Sequence, residues 1–393
     1  MKYNTYKATF VALSPIHIGT GEQINNWNYA IDNRKIAFYN FDKVVYYLRN
    51  DKNKLLNFKS IIEKNPLNYC LGDAIKSFNI NVNPDYVIPY YGKIKKHKDE
   101  YKEIWEFIKE NGKVYIPGSE IKGAIRTALF YKILKDTFKA DKEEENKFIN
   151  EYKNIANYVK NRNCDKNLKK EISGKTKNLI QKLENKVFMR PNHKGQFDAK
   201  TDFMKNLMIS DSSLKNPEEV LSVKDIKVIG ISKNKNMEEL YEVVNRGSQF
   251  EIKINIFQDE SFKKIFNKNY EKYLNLQSII NATNEFSERL LEEEITYFEK
   301  SKELDFDSKR KIIDSLKKIL DLTKTRKYII LRIGKHEGFL STTVNLLIKD
   351  LAPDSYSKIY PCLVNRGYKN LPNKSRKITA ENEVLGWGVL VLE

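Results

Sequence analysis

Apolar and polar residues alternate along several short segments of the chain. In residues 250–257 (FEIKINIF) every second residue is apolar, which predicts a strand with one buried and one solvent-exposed face. Residues 6–13 have a similar alternation, with Ala8, Phe10 and Ala12 on one face. Further strands are predicted at residues 207–211, 223–231, 328–333 and 384–392.

Helical spacing of apolar residues begins after the segment IPGS, residues 116–119. The apolar positions that share one face of this predicted helix are Ile121, Ala124, Ile125, Ala128, Leu129 and Ile133. Ser119 is placed to act as its N-cap. Residues 136–200 are highly charged and are predicted to form a helical or partly mobile insertion. Further helices are predicted at residues 262–300, 308–320 and 338–347.

The order of these elements predicts two α+β units, because a second series of helices and strands starts after Gln258. A length of 393 residues agrees with two or three domains. Residues 285–307 are acidic, and we interpret them as an exposed helix face rather than a protein-contact surface.

The composition is that of an ordered protein, since 40% of the residues are hydrophobic and 12% are aromatic. No apolar run approaches the roughly 20 residues that cross a bilayer, and the N-terminus has no apolar signal core. We therefore expect a soluble protein of the cytoplasm that does not contact a membrane.

Candidate metal and redox chemistry is sparse. The cysteines are odd in number and far apart, so neither a disulfide framework nor a zinc site is expected: Cys70, Cys164 and Cys362. No two histidines have metal-ligand spacing: His17, His97, His193 and His336. Three aspartates lie on different elements and do not predict a metal site, and the second is expected to cap a turn: Asp202, Asp211 and Asp225. We expect no cofactor.

The net charge of +18 indicates a polyanionic partner. A proteome rich in Lys and Asn through AT-biased codons would explain part of this charge, so the charge is supporting evidence only. The positions of the basic residues are more informative than their number.

The helix that starts near residue 118 has the features of a phosphate-binding site. Lys122 and Arg126 are four residues apart and share a helix face near the N-terminus, where the helix dipole opposes cations. The free N–H groups, with Gly118 and Ser119, would complete the site, and Gly123 would allow a close approach. The alternative, a surface helix with two solvated cations, stays open.

Two other basic segments are weaker candidates. Lys335 lies in a glycine-bearing loop, residues 332–341, which either cradles phosphate or simply opens a helix. Basic residues with few acids, including Arg366, follow in residues 366–377, and they either track a nucleic-acid backbone or form a solvated loop. Trp387, between glycines, is interpreted as a core anchor.

Two catalytic interpretations are rejected. The sequence SGKT, residues 173–176, resembles the end of a P-loop, but Lys169 stands where the motif needs glycine. His17 could act as a base in RNA cleavage, yet no second titratable group lies near it in sequence, and a lone histidine is more often structural. We expect no enzyme.

Several segments together resemble the RAMP (repeat-associated mysterious protein) superfamily of CRISPR systems. They are LSPIHIGTG (13–21), IPGSEIKGAIRTAL (116–129), DFMKNLMISDSS (202–213) and YEVVNRGSQFEIKI (241–254). IGKHEGFLSTT (333–343) and VLGWGVLVL (384–392) are similar to the C-terminal half of the type III-A (Csm complex) subunit that caps the crRNA 3′ end.

The resemblance implies an α+β fold of two ferredoxin-like (RRM-like) domains with helical insertions. The first would span residues 1–258, with insertions at about 22–112 and 136–200, and the second residues 259–393. The helix of Ile121 would cover a sheet of the strands near residues 10, 208, 226 and 253. Residues 22–112 match nothing in the family.

The resemblance also implies a noncatalytic subunit that binds crRNA through its backbone and supports its maturation and antiviral RNA-guided interference. The contacts would come from Gly118, Ser119, Lys122, Gly123, Arg126, Lys335 and Arg366. The partners would be crRNA, other Csm subunits, above all the repeating backbone subunit, and host nucleases. Aromatic RNP motifs are absent, so base stacking on the sheet is not expected.

Three alternatives stay open at this point. A RAMP endoribonuclease that processes the crRNA precursor would use His17 as its base. The repeating backbone subunit that cleaves target RNA would need an early acid, for which the sequence offers Glu22 and, at a distance, Asp32. A basic scaffold would bind no RNA tightly at physiological salt.

Overall fold

The computed structural model describes residues 3–64, 67–95, 99–159, 164–230, 239–257, 272–342, 344–364 and 376–393. The strands are β1 Tyr3–Ala12, β2 Gly19–Ile24, β3 Tyr29–Asp32, β4 Lys35–Phe38, β5 Tyr86–Tyr91, β6 Ile104–Phe107, β7 Lys109–Glu110, β8 Lys113–Val114, β9 Leu207–Ile209, β10 Leu221–Ile229, β11 Glu239–Val244, β12 Gln249–Phe257, β13 Ile329–Arg332, β14 Arg376–Thr379 and β15 Trp387–Leu392. The helices are α1 Phe41–Leu48, α2 Lys52–Lys64, α3 Leu71–Phe78, α4 Gly118–Ala140, α5 Lys142–Val159, α6 Lys166–Phe188, α7 Pro217–Val220, α8 Leu276–Lys300, α9 Phe306–Lys324, α10 Asn345–Leu351 and α11 Pro353–Val364.

The first sheet is antiparallel and has the order β13-β15-β1-β12-β9. Phe10 lies opposite Phe250 on one side and opposite Leu390 on the other, and all three side chains are buried. Helices α4 and α8 pack against each other and against strands of this sheet. Five predicted strands, near residues 10, 208, 253, 330 and 388, are confirmed as its members.

The second sheet has the order β2-β6-β11-β10-β5-β4-β3, and β14 pairs with β10. The strand near residue 226, β10, therefore belongs here, and its predicted place in the first sheet was wrong. The reason is its pairing with β5 and β11 and its burial on both faces. Inside the sheet, the Lys102 Nζ lies 3.1 Å from the Asp225 Oδ2, and both side chains are buried.

Residues 22–112 are an integral part of this second sheet, because they supply β3 to β6 and half of β2. Helices α1 to α3 add a small hydrophobic core of their own around Trp27, Phe58 and Leu71. Each sheet takes strands from both sides of residue 258. The division of the chain into two domains at residue 258 stays a prediction. The composition of the two sheets does not follow this division.

The predicted insertion at residues 136–200 is largely helical, as α5 and α6. A disulfide links Cys164, just before α6, to Cys362 in α11, with the Cα atoms 5.4 Å apart. The expectation that no disulfide forms was wrong, because the fold joins two residues that are 198 positions apart in sequence. Cys70 is free and buried.

The helix predicted at residues 338–347 was also wrong in extent. A 3-10 turn, Phe339–Ser341, comes first, and α10 begins only at Asn345. The Asn345 amide donates to the carbonyls of Phe339 and Thr342, so the chain turns here instead of continuing one helix. Of the helix predicted from residue 262, residues 262–271 lie outside the described ranges.

The acidic stretch does not form a freely exposed helix face, and that interpretation was wrong. Its carboxylates pair with basic residues of other elements: Glu285 with Lys132 and Lys135, Glu288 with Arg326, Glu293 with Lys349, and Glu294 with Arg332 and Arg376. These pairs hold α8 to α4, α10, β13 and β14.

None of the helices in the described ranges is long and apolar enough to span a bilayer.

Candidate nucleic-acid interface

Helix α4 starts against the end of β9, and this contact defines its first residue. Gly118 is buried, and a Cβ there would lie 2.3 Å from the carbonyl oxygen of Ile209. The Gly118 N–H donates to the Asp211 carboxylate at 2.7 Å. The predicted Ser119 cap was therefore wrong, as was the turn assigned to Asp211, because the β9 contact brings the Asp211 carboxylate to the helix start.

This geometry changes how α4 can meet an anion. A carboxylate already accepts from the first N–H, next to the positive end of the helix dipole. Gly118 is buried and has a packing role, whereas Ser119 and Gly123 are exposed. An approaching phosphate would therefore meet the exposed side of the first two turns rather than the helix end itself.

Lys122 is the half-buried cation on this side of the helix. Burial lowers the pKa of its ammonium group, the charge of Asp202 raises it, and the charge of Arg126 lowers it. Within the described part of the chain, no carboxylate forms an ion pair with Lys122. Its positive charge is available to an external anion.

Arg126, by contrast, is already engaged. Its guanidinium lies 2.8 Å from Asp202 and 3.0 Å from Glu184, and it stacks 3.7 Å over the ring of Phe188. The side chain thus joins α4 to α6. A phosphate at Arg126 would have to compete with two carboxylates, so the predicted RNA contact there stays a prediction.

Gly123 has no packing reason to be glycine. It lies inside α4, is exposed, and a Cβ at this position would meet no atom within 4 Å. A glycine in a helix interior costs roughly 0.5–1 kcal/mol relative to alanine. The cost without a packing contact favours a close approach from outside the molecule.

Three loops meet in what we call the loop junction, residues 14–19, 334–338 and 385–387. The Lys335 N–H donates to the His17 carbonyl at 2.9 Å, and a Cβ at Gly334 would lie 2.4 Å from that oxygen. The Trp387 N–H donates to the Ser14 hydroxyl at 2.9 Å. Trp387 is fully buried and confirms the core-anchor prediction.

His17 is buried inside the loop junction and is poorly placed for catalysis on RNA. Only 2% of it is exposed, its Nδ1 lies 2.7 Å from the Glu242 carbonyl oxygen, and its ring packs edge-on to Tyr241. Burial lowers the pKa of His17 to about 4 despite the bond to Glu242, and nearby lysines lower it further. The imidazole is neutral at pH 7 and shielded from a substrate.

No titratable group lies near His17 in sequence, but the fold brings His336 beside it. The two rings are stacked with centroids 6.4 Å apart. Burial and the charge of Lys377 lower the pKa of His336 to about 2, so it is also neutral. A separation of more than 300 residues in sequence hid this pair.

The loop junction interacts electrostatically with the first turn of α4. Burial raises the pKa of Glu337 to about 7, the charge of Arg332 opposes this shift, and the charge of Glu120 in the first turn of α4 adds to it. The loop of Lys335 and the first turn of α4 are therefore close enough for two of their charges to influence each other.

The remaining basic candidates are less accessible or fall outside the described structure. Arg366 lies outside the described ranges, so its predicted contact stays untested. Lys377 lies 3.2 Å from Glu239, and Arg376 lies 2.6 Å from the buried Glu294. Among the described residues, no cluster of His, Cys, Asp or Glu is placed to hold a metal ion.

Sequence reasoning missed the aromatic residues at this junction. Trp105 in β6 and Tyr241 in β11 are directly paired across the second sheet, and Lys335 lies over both rings. The segment IWEF of β6 lies in the part of the chain that had no assignment. These four residues form an apolar and aromatic pattern that is too short to predict a site.

Comparisons with known proteins identify relatives of this chain. The model of the RAMP superfamily matches residues 9–337. A protein of Methanocaldococcus jannaschii named "CRISPR system Cms protein Csm5" is 30% identical over 391 residues, which cover 92% of this chain and 79% of that protein. A Streptococcus thermophilus protein with the same name is 29% identical over 149 residues, 32% of this chain and 38% of that one.

Two solved structures share the fold. A chain of a Csm–crRNA–target RNA ternary complex of a type III-A CRISPR–Cas system, solved by cryo-EM, has a TM-score of 0.71 at 22% identity and covers 99% of this chain and 100% of that one. The crystal structure of T. onnurineus Csm5 has a TM-score of 0.68 at 22% identity and covers 97% and 99%. The predicted α+β fold of ferredoxin-like domains with added helices is confirmed.

Proposed function

Because this chain belongs to the RAMP superfamily and, within it, to the Csm5 family of type III-A Csm subunits, we propose that it binds crRNA and caps its 3′ end in the effector complex. In this role it supports crRNA maturation and antiviral RNA-guided interference. One observation carries the RNA contact: the RAMP-like helix start presents an available cation, Lys122, next to an exposed glycine, Gly123.

The contact is made with the RNA backbone and is independent of base identity. Lys122 supplies charge to a phosphate, the Ser119 hydroxyl donates to a phosphate oxygen, and Gly123 lets the backbone come close. Lys335 adds a second cation, while Gly118 shapes the helix start. Arg126 and Arg366 contribute if the RNA path reaches them.

The subunit performs no chemistry on the RNA. An endoribonuclease of this fold would need His17 as its base, but that side chain is buried and neutral at pH 7. The partners are crRNA and the other Csm subunits, above all the repeating backbone subunit, with host nucleases recruited for maturation. The site of action is the cytoplasm.

Charge reversal at Lys122 tests the RNA contact. Lys122→Glu should weaken crRNA binding to a similar degree for unrelated sequences and flatten the log–log salt dependence by about 0.7 for one lost single-strand phosphate contact. Lys170→Glu, the same change at an exposed position of α6, should leave the salt dependence nearly as it is. Equal salt slopes in all three folded proteins would contradict this site.

The capping role is tested by purifying the complex from its native cell. We expect one copy of this chain per complex, together with guide RNA whose 3′ end crosslinks to it. Many copies per complex would instead identify the repeating backbone subunit. Cleavage of repeat RNA in EDTA that stops on His17→Ala would identify an endoribonuclease, and absence of guide RNA would leave a basic scaffold.

A further inference from the structure

A pair of stacked aromatic side chains on the second sheet lies beside Lys335 of the loop junction. Trp105 and Tyr241 occupy opposite positions on the parallel strands β6 and β11, and their rings are nearly parallel, 13° apart, with centroids 6.0 Å apart. Tyr241 is almost fully buried, whereas Trp105 is only half-buried. The indole is therefore the accessible end of this pair.

A lysine covers that indole. The Lys335 Nζ lies 3.4 Å from the centroid of the Trp105 ring and 5.3 Å from that of Tyr241. The loop does not need this side chain for its own position, because the Lys335 N–H is already held by the carbonyl of His17. The residue itself is exposed.

The positive charge of Lys335 is poorly compensated. In the described ranges no carboxylate forms an ion pair with it, and the nearby Glu239 already pairs with Lys377 at 3.2 Å and accepts from the Tyr241 hydroxyl at 2.7 Å. Burial and the charge of Lys377 lower the pKa of Lys335, which Glu239 only partly offsets. An external anion would supply the missing negative charge.

A nucleotide can interact with this aromatic pair more strongly than the lysine does. A cation over an exposed aromatic ring is a weak interaction. A base stacked on an aromatic side chain binds more strongly than such a cation, and a phosphate gives the displaced lysine a full opposite charge. Exchange of the lysine for a base is therefore favourable whenever single-stranded RNA passes this point.

We propose that Trp105 and Lys335 form a stacking site for one unpaired base of the bound RNA. The base lies on the indole face, and Lys335 swings from that face to the adjacent phosphate. This inference rests on the proposed RNA binding and adds to it a base contact on the second sheet. Stacking tolerates any base, so the site remains independent of sequence.

Substitution of Trp105 in the purified protein, tested with single-stranded guide RNA, examines this site. Trp105→Leu should weaken binding roughly 5- to 150-fold, which is the equivalent of the stacking energy of about 1–3 kcal/mol. Trp105→Phe, which keeps an aromatic face, should lose far less. The salt dependence should not change, because no phosphate contact is removed, whereas Lys122→Glu should flatten it.

Tyr91 is the matched control. It is a 46% exposed aromatic residue on β5 of the same sheet, with a lysine, Lys224, 5.3 Å from its ring. That lysine is already paired with Glu381 and Glu383, so it is not available to a phosphate. Tyr91→Leu should therefore leave RNA affinity nearly unchanged.

A direct measurement avoids any dependence on variants that fold poorly. Guide RNA containing 5-iodouridine, which photocrosslinks to stacked aromatic side chains, should attach to Trp105 of the wild-type protein. No crosslink at Trp105 and equal affinity of Trp105→Leu, with a flattened salt slope in Lys122→Glu, would overturn the stacking site and leave the proposed function intact. An unmodified protein that binds no guide RNA would overturn both.

Discussion

Gly123 and Gly174 are both exposed glycines inside long helices, and at neither would a Cβ meet an atom within 4 Å. Replacement of either by alanine should stabilise the protein by roughly 0.5–1 kcal/mol, because alanine lowers the entropy cost of helix formation. Only Gly123→Ala should also weaken crRNA binding, since Gly174 lies on α6 and not on the helix that carries Lys122. Urea denaturation and RNA titration of both variants measure the two effects.

The paired comparison separates a local helix effect from a binding effect. If Gly123→Ala and Gly174→Ala gain similar stability and bind RNA equally well, the glycine of α4 has no role in close approach. The Lys122 contact would then have to be tested alone.

Glu337 is the residue whose titration should influence stability near neutral pH. Its pKa is raised from 4.5 to about 7 in the folded chain, mainly by burial. Between these values the folded protein holds a proton that the unfolded chain releases, so stability falls as the pH rises from about 4.5 to 7. The loss should be on the order of 2–3 kcal/mol.

Glu337→Gln should remove this loss. Between pH 5 and pH 8 the free energy of unfolding of the wild type should therefore fall relative to that of the variant. His17 and His336 act in the opposite direction, because their pKa values are lowered and stability gained from them rises with pH. They are present in both proteins and cancel in the difference. A difference that stays constant between the two pH values would show that Glu337 is ionised throughout.

At the scale of elements, a buried carboxylate connects α8 to two strands. Glu294 is only 2% exposed and lies 2.6 Å from Arg376 of β14 and 3.4 Å from Arg332 of β13. Glu294→Ala would leave the buried guanidinium of Arg332 without its carboxylate and should cost about 3–5 kcal/mol.

Glu292, two residues away on the same helix, provides the control for Glu294. Its side chain is 59% exposed and lies 3.9 Å from Arg289, so Glu292→Ala should change the free energy of unfolding by less than about 0.5 kcal/mol. Chemical denaturation of the two variants compares them directly. Similar, small losses of stability in both variants would mean that the ion pairs of Glu294 contribute no more free energy than the desolvation of their charges costs.

The elements that sequence predicted best are those with long, regular apolar patterns. The helix from Ile121 onward and the strand of Phe250 were located correctly, because one face of each is buried. The group that accepts from the first N–H of α4 was not predicted, since it is the carboxylate of Asp211, more than 90 residues later. The sheet of β10 was missed because a strand buried on both faces does not reveal its partners.

At the scale of the whole molecule, the candidate site is assembled from parts that are distant in sequence. The motif around Lys122 and the loop of Lys335 were recognised separately in the sequence, and the electrostatic effect of Glu120 on Glu337 appears only in the folded chain. Trp105 completes the loop junction from a segment without any assignment. Sequence patterns indicate which face of a helix or strand is buried, whereas this site depends on which helices, strands and loops are neighbours in the fold.

The disulfide is the one covalent link across the two halves of the chain in the described structure. Cys164 precedes α6 in the predicted insertion, and Cys362 lies in α11, after residue 258. Closing a loop of 198 residues removes entropy from the unfolded chain worth up to about 5 kcal/mol in the chain-entropy model. A reductant should therefore lower the melting temperature of the oxidised protein.

Cys164→Ser should melt at the temperature of the reduced wild type and should not respond to the reductant. Cys70→Ser offers the matched control, because Cys70 is free and buried, so any packing loss there leaves the response to reductant in place. Calorimetry of the three proteins, with and without reductant, measures the effect. Equal melting temperatures of oxidised and reduced wild type would mean that packing alone holds α6 and α11 together and that the disulfide adds no stability.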